Sequence, residues 1–377
     1  MRKILYVTTV SSTINSFLKP HIQDLVAQGY VVDVATNVTD DLDEEILGLG
    51  IKVFSVGFQR TPVSVKNLDA CRQMRLIQKN ERYDIVHVHT PVASFVTRFA
   101  LRKDKDLKIL YTCHGFHFYK GGPAISWLLF YPAEKLAARW TDVLITINSE
   151  DYAVARGFKL RCGGKACKIY GVGIEKVKYI LKDFDKSGCR GKLGLSDDDF
   201  VILVLAELNK NKNHIQLIRA MSFLKGRYPD IKAVFAGCGP LETEIKGNIK
   251  ALGLEKNVMM VGWRCDVKEL INLSDVVGLF SKREGLGKCL LEAMVCGKSI
   301  MATNTRGPRE FIEEGAEGIL FDIDDVEATA KAIEKIYASA KFNVMSEKNV
   351  AEATNKYLLE NVLAQLNSVY EGLCIEE

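Results

Sequence analysis

In KREGLGKCLLEAMVCG (282–297), Glu284 and Glu292 stand eight positions apart, with Gly285 and Gly287 after the first and an apolar helical pattern leading to the second. In an α-helix eight steps advance about 12 Å and turn the side chain by about 80°, so two helical carboxylates at this spacing would not share a face. Glu284 follows the apolar run VVGLF and precedes two glycines. That context places it in a loop after a strand, from which it can curl back toward the N-terminal end of the helix carrying Glu292. A glycine turn from strand into helix exposes backbone N–H groups, here those of Leu286, Gly287 and Lys288. Together with the helix dipole they form an anion site suited to a diphosphate. Lys212, with Asn209 in LNKNKNH (208–214), lies in the loop after another strand and is a second candidate for that phosphate, because loops at one end of a parallel sheet can converge. Plainer readings are a Glu284 that merely favours a helix N-terminus by about 0.3–1 kcal/mol, a Lys288–Glu292 pair at i, i+4, and a solvated Lys212.

Other chemistries lack their patterns. The segment after the first strand, VSSTINSFLKPH, has no G-x-G-x-x-G, and neither G-x-x-x-x-G-K-[ST] nor G-x-S-x-G occurs. Dinucleotide binding, P-loop hydrolysis and Ser-His-Asp hydrolysis are therefore not indicated. His87 and His89 share one side of a strand, but no spaced carboxylate pair accompanies them or the HGFH of 114–117, so no metal site is expected. His114 ends an apolar strand, where a satisfied core histidine is the alternative to a functional one. The DID triplet (322–324) precedes a helical pattern, so capping by Asp324 or Asp325 accounts for it better than a metal-binding acidic motif. The ten cysteines include no C-x-x-C. Most, such as Cys113, Cys238 and Cys296, lie in apolar patterns and read as small buried hydrophobes in a reducing compartment.

The elements that must position these residues alternate from end to end. Strand-like runs at 3–9, 30–36, 51–56, 83–90, 107–114 and 142–148 are separated by helical patterns, among them 17–29 with Gly29 as a stop, 67–80 and 92–103. After the polar stretch 182–199 the alternation restarts, with runs at 200–208, 231–237, 257–263, 276–281, 299–304 and 318–323. The pattern predicts an α/β chain of two doubly wound domains meeting near 171–182, with a ligand cleft between them. Residues 346–372 form one amphipathic helical pattern that must pack on one domain. The 377 residues, 47% hydrophobic and 26% charged, carry a net charge of +4, too small to indicate nucleic-acid binding. No apolar run reaches transmembrane length, and the basic start lacks a signal-peptide cleavage site. A cytoplasmic protein is expected, with any membrane contact peripheral. The apolar segment 121–140 is either a buried helix or a membrane-facing patch with Arg98, Arg102, Lys103 and Lys105 nearby in sequence.

The ordered set Glu284-x7-Glu292 in EGLGKCLLEAM, Lys212, AGCGP (236–240), GPRE (307–310) and His114–Gly115 resembles the retaining glycosyltransferases of family 4, with the GT-B fold. HTPVASFVTRFALRK, YTCHGFHFYKGG and FYPAEKLAARWTDVLITINSED are further similar to the bacterial branch that builds capsular and exopolysaccharide units. The resemblance covers nearly the whole chain. It implies two Rossmann-like domains facing across a cleft: 1–172 binding the acceptor, 173–355 binding the nucleotide sugar, and a helix at about 356–377 able to pack back on the first. It further implies that Glu284 bonds hydroxyls of the donor sugar, Glu292 the ribose, and Lys212 the diphosphate, while His114 reaches the sugar from the N-terminal domain. No metal or other cofactor is implied. Two positions depart from the family pattern. Ala206–Glu207 stands where Gly-Arg is common, leaving Lys210 or Lys288 to replace the lost cation, and SSTIN (11–15) replaces a glycine pair.

The expectation is a retaining transferase that moves a hexose or N-acetylhexosamine from a nucleoside-diphosphate sugar, UDP ahead of GDP, to a glycan acceptor linked to a polyprenyl diphosphate. It would act in surface-polysaccharide synthesis, at the inner face of the cell membrane. The alternatives are a nucleotide-sugar epimerase of the same fold, which would need no acceptor, and a non-enzymatic two-lobed binding protein.

Overall fold

The uninterrupted apolar runs become the strands of two wholly parallel sheets, as strands covered on both faces require. The computed structural model describes residues 2–312, 318–340 and 354–373. The chain divides into two compact units, Met1–Val172 with Val362–Glu377, and Gly173–Asn361.

In the first unit the strands are β1 (Lys3–Val10), β2 (Val31–Asn37), β3 (Val53–Ser55), β4 (Ile85–His89), β5 (Lys108–Cys113), β6 (Val143–Thr146) and β7 (Lys165–Lys168). They lie in the order β3-β2-β1-β4-β5-β6-β7, so the direction of winding reverses between β1 and β4. The connecting helices are α1 (Lys19–Ala27), α2 (Glu44–Leu47), α3 (Lys66–Glu81), α4 (Pro91–Leu101), α5 (Ala124–Ala138) and α6 (Ser149–Ala155). Right-handed crossovers put α3, α4 and α5 on one face of the sheet, and α4 packs against both neighbours. Leu5, Val7, Val86, Val88 and Ile109 form the core beneath this layer, with Ala70, Met74 and Ala93 from the helices.

The second unit begins with α7 (Lys176–Tyr179) and α8 (Lys186–Lys192). Its strands are β8 (Phe200–Leu205), β9 (Ile231–Ala236), β10 (Val258–Gly262), β11 (Val276–Leu279), β12 (Ser299–Thr303) and β13 (Gly318–Phe321). They are ordered β10-β9-β8-β11-β12-β13 and reverse between β8 and β11. The helices are α9 (His214–Leu224), α10 (Glu242–Ala251), α11 (Val267–Leu273), α12 (Lys288–Val295) and α13 (Val326–Ala340). Finally α14 (Leu359–Gly372) starts in the second unit and ends in the first. Its Val362, Leu366, Val369 and Tyr370 are buried.

Several elements differ from the sequence reading. The helix expected from residue 17 opens as a π-helical turn, Ile14–Leu18, and becomes α-helical at Lys19. Ser11 in the SSTIN segment accepts the backbone N–H groups of Thr39 and Asp40, which folds the loop after β2 onto it. The polar stretch 182–199 contains α8, because buried Arg190 bonds Asp275 at 2.7 Å and the carbonyls of Leu273, Asp197 and Asp199. β7 carries no apolar run and was not expected. Cys238 is exposed and Cys296 half-buried, against the expectation of buried thiols. The Gly237–Gly239 turn lies so close to the β8 loop that a Cβ on Gly237 would meet Ala206 O at 2.1 Å, and Cys238 ends up exposed. The segment 121–140 is not a buried helix: of α5 only Ala137 and Ala138 are buried. Arg98, expected at its surface, is fully buried and bonds Glu134 at 2.8 Å. Asp325 caps α13 by accepting the Ala328 N–H at 2.8 Å. Parts of the expected C-terminal helix, 346–353 and 374–377, lie outside the described residues.

Candidate active site

In the second unit the loops after β8 and β11 leave the sheet where its strand order reverses, the place where open α/β sheets bind ligands. Lys212 is on the first loop and Glu284 on the second, and their side chains meet at 2.7 Å. The two loops are tied by backbone as well: the Lys282 N–H donates to Asn211 O at 2.7 Å, and the Asn211 side-chain amide to Arg283 O at 3.0 Å. The Ser281 hydroxyl donates to Glu284 Oε2 at 3.1 Å. Burial pushes the Lys212 ammonium down, but the Glu284 charge and hydrogen bond outweigh it and hold its pKa above the ordinary lysine value. Asn209 shapes the loop from within, accepting the Lys212 N–H at 3.0 Å and donating to exposed Glu207 at 3.0 Å. Lys210 is exposed and forms no ion pair among the described residues.

Glu284 sits in the loop, and α12 begins four residues later. Gly287 is its N-cap, with φ +92° and no side-chain cap, a conformation that suits glycine. Leu286 is buried and anchors the turn. Behind it Gly307 packs so tightly that an added Cβ would lie 2.5 Å from Leu286 N. One helical turn on, Glu292 is buried and pairs with Lys288 at 2.9 Å.

A further residue completes this side of the site, and nothing in the sequence pointed to it. The Tyr179 hydroxyl, at the end of α7, donates to Glu292 Oε1 at 2.5 Å. Burial and the adjacent carboxylate raise the phenol pKa, keeping it a donor. The Tyr179 carbonyl accepts the Asn272 side-chain amide at 2.8 Å and the Cys296 thiol at 3.4 Å, which fixes the tyrosine on α11 and α12. His214, the first residue of α9, is buried with neither ring nitrogen hydrogen-bonded among the described residues. Burial and neighbouring Lys212 lower its pKa to about 4, so it adds no charge. The second unit thus gathers Lys212, Glu284, Leu286, Gly287, Lys288 and Glu292 around one uncapped helix start. The arrangement can hold a ligand that is anionic in the middle and hydroxylated at both ends.

His114 belongs to the first unit, just past β5. Its Nε2 lies 3.1 Å from His89 Nδ1, and the His87 and His89 rings stand 4.2 Å apart on one face of β4. His87 bonds Tyr370 of α14 at 2.6 Å and Thr112 at 2.7 Å, and Tyr370 bonds Tyr6 at 2.8 Å. Burial lowers the pKa of His114 to about 4 and those of His87 and His89 well below the usual histidine range, so the stack is neutral.

Comparison with known proteins gives this architecture its class. Residues 3–148 match the family described as glycosyl transferase 4-like, and residues 185–354 the glycosyl transferases group 1. The chain belongs to these glycosyltransferases, and its paired Rossmann-like units are those of the GT-B fold. Among its relatives, the putative glycosyltransferase EpsD of Bacillus subtilis is 40% identical over 342 residues, spanning 89% of this chain and 87% of EpsD. The UDP-Gal:alpha-D-GlcNAc-diphosphoundecaprenol alpha-1,3-galactosyltransferase of Escherichia coli is 24% identical over 344 residues, spanning 90% and 87%. In fold the chain is similar to Anabaena Alr3699/HepE, solved with UDP and glucose, at a TM-score of 0.81 and 21% identity over 99% of this chain and 100% of that one. It is likewise similar to a Thermosynechococcus elongatus sucrose-phosphate synthase, at 0.82 and 18% identity over the whole of both chains.

Proposed function

We propose that this glycosyltransferase moves a hexose or N-acetylhexosamine from a UDP-sugar to a polyprenyl-diphosphate-linked glycan in surface-polysaccharide synthesis, with retention of the anomeric configuration and without a metal. The observation that carries the reading is the Lys212–Glu284 pair across the strand-order reversal, beside the uncapped start of α12. A diphosphate entering there takes the Lys212 ammonium and releases Glu284 to hydroxyls of the donor sugar. Glu292, one turn along α12, receives the ribose diol, and Lys288 stands where it can replace the cation missing at Glu207. From the first unit we add His114 as a sugar contact. In the reaction the bond from the anomeric carbon to the phosphate oxygen breaks, and the electron pair leaves with UDP, where Lys212 and the helix amides stabilise the growing charge. The acceptor oxygen bonds the anomeric carbon on the face the phosphate leaves, and its proton passes to the departing phosphate oxygen.

The substrates are supported by relatives. The E. coli enzyme is named for UDP-galactose and a diphosphoundecaprenol acceptor, and the Anabaena structures hold UDP, UDP-glucose or glucose. A lipid-linked acceptor puts the enzyme at a bilayer, and we place it on the cytoplasmic side. The test joins a thermal-shift panel of nucleotides and nucleotide sugars to transfer assays of Glu284→Gln. UDP-sugars should raise Tm, and the variant should lose about 10²–10³-fold in transfer while keeping its fold. Full activity in Glu284→Gln would overturn the site. Turnover of a UDP-sugar without acceptor would replace transfer by epimerisation.

A further inference from the structure

Exposed leucines scattered singly need no explanation, but these are not scattered. Of the sixteen exposed large apolar side chains among the described residues, eight lie on α3, on the segment leading into it, or on α5. On α5, Ile125, Leu128, Leu129, Pro132 and Leu136 fall within an arc of about 100° at 3.6 residues per turn, and Leu128 is 70% exposed. On α3, Leu68, Arg72, Arg75, Leu76 and Lys79 fall within a similar arc, with Leu68 61% exposed and all five open to solvent. A solvent-facing stripe on a surface helix should be polar throughout. The α5 stripe is instead apolar throughout, and the α3 stripe alternates leucine with arginine and lysine.

The cations concentrate where α3 and α4 end side by side. Arg75, Lys79, Arg82 and Lys103 line a shallow groove of about 400 Å³. Its one carboxylate, Asp104, accepts the Gln78 amide at 3.1 Å. Arg102 lies over the Phe99 ring, 3.9 Å from its centroid. Exposed Lys135 and Arg139 flank the α5 stripe at its C-terminal end. Asp69 is the acid of the α3 face, and it pairs with Arg72 at 2.7 Å.

We propose that the outer face of the α3–α4–α5 layer docks on an anionic lipid bilayer. Leucines enter the boundary between headgroups and acyl chains while the cations meet acidic headgroups, the division of labour of interfacial amphipathic helices. A second copy of the chain fits less well, because a two-fold contact presents the same patch to itself and would set arginine and lysine against arginine and lysine. The surface stands on its own geometry, whether or not the acceptor is lipid-linked.

The test is co-sedimentation of the full chain with vesicles of phosphatidylcholine alone or with phosphatidylglycerol, at low salt and at about 0.5 M salt. Two exposed double variants accompany it, Leu128→Gln/Leu129→Gln and Arg75→Glu/Lys79→Glu. The wild type should bind phosphatidylglycerol vesicles at least about tenfold better than phosphatidylcholine, and each variant should lose about tenfold or more. High salt should remove the contribution of the arginine and lysine and leave that of the leucines. Unchanged Tm and unchanged UDP-induced stabilisation separate these effects from misfolding and from failure of the donor site. Equal binding to both vesicle types, no binding at low salt, or variants that bind like wild type would overturn the proposal. So would a wild-type dimer, dissolved by the leucine variant, that leaves vesicles untouched.

Discussion

The hydrogen bond and the ion pair made by the Glu292 carboxylate land on one oxygen. Tyr179 and Lys288 meet Oε1, and among the described residues Oε2 accepts no hydrogen bond, so on the proposed reading Oε2 is the oxygen left to the donor's ribose. On the proposed reading Tyr179 is a positioning residue. Tyr179→Phe removes a charge-assisted hydrogen bond to a buried carboxylate, an interaction of about 1.5–3 kcal/mol. The donor KM should then rise about tenfold or more while kcat stays within about twofold, measured by steady-state kinetics alongside Tm. An equal fall in kcat would instead place Tyr179 in the transition state. Glu284, Glu292 and Lys212 were legible in the sequence because glycines and strand ends frame them. Tyr179 was not: it follows a four-residue helix, and its partner lies 113 positions away, a distance no local periodicity spans.

Gly307 shows why a glycine can matter without an unusual backbone. Its φ is an ordinary −71°, yet an added Cβ would stand 2.5 Å from Leu286 N and 2.6 Å from Leu286 Cα. Gly307→Ala should push back the loop carrying Glu284, lowering Tm by several degrees and abolishing the UDP-induced shift. Gly247, inside α10 with nothing near its would-be Cβ, is the control. Gly247→Ala should leave UDP binding intact and stabilise by about 0.5–1 kcal/mol. Thermal shift with and without UDP reads both. At this scale the sequence foretold twelve of the strands, because buried parallel strands write themselves as apolar runs. It missed β7, whose KACK has no such run, and α8, whose fold depends on the distant Asp275. It left α5 open between a buried helix and a membrane-facing patch, since an apolar stripe does not say whether protein, lipid or water covers it.

For the molecule as a whole, buried neutral histidines set the response to acid. His114 and His214 hold pKa values of about 4, below the 6.5 of an ordinary histidine. Between those limits the unfolded chain binds protons that the folded chain refuses. Stability is therefore fully present above pH 6.5 and falls as the pH drops toward 4, by about 1 kcal/mol for each of the two at pH 5.5. Melts at pH 7.5 and 5.5 should show a lower Tm at 5.5, and His214→Gln should reduce the difference. A Tm that rises on acidification would contradict the burial argument.

The course of α14 also bears on how the molecule is made. Tyr370, near its end, hydrogen-bonds His87 and Tyr6 inside the first unit. On the ribosome residues 2–172 emerge before the second unit, and the Tyr370 hydroxyl that satisfies those two groups follows only after it. Of the two units, the one begun earlier is completed later, and until α14 arrives its nascent core holds an open socket for Tyr370.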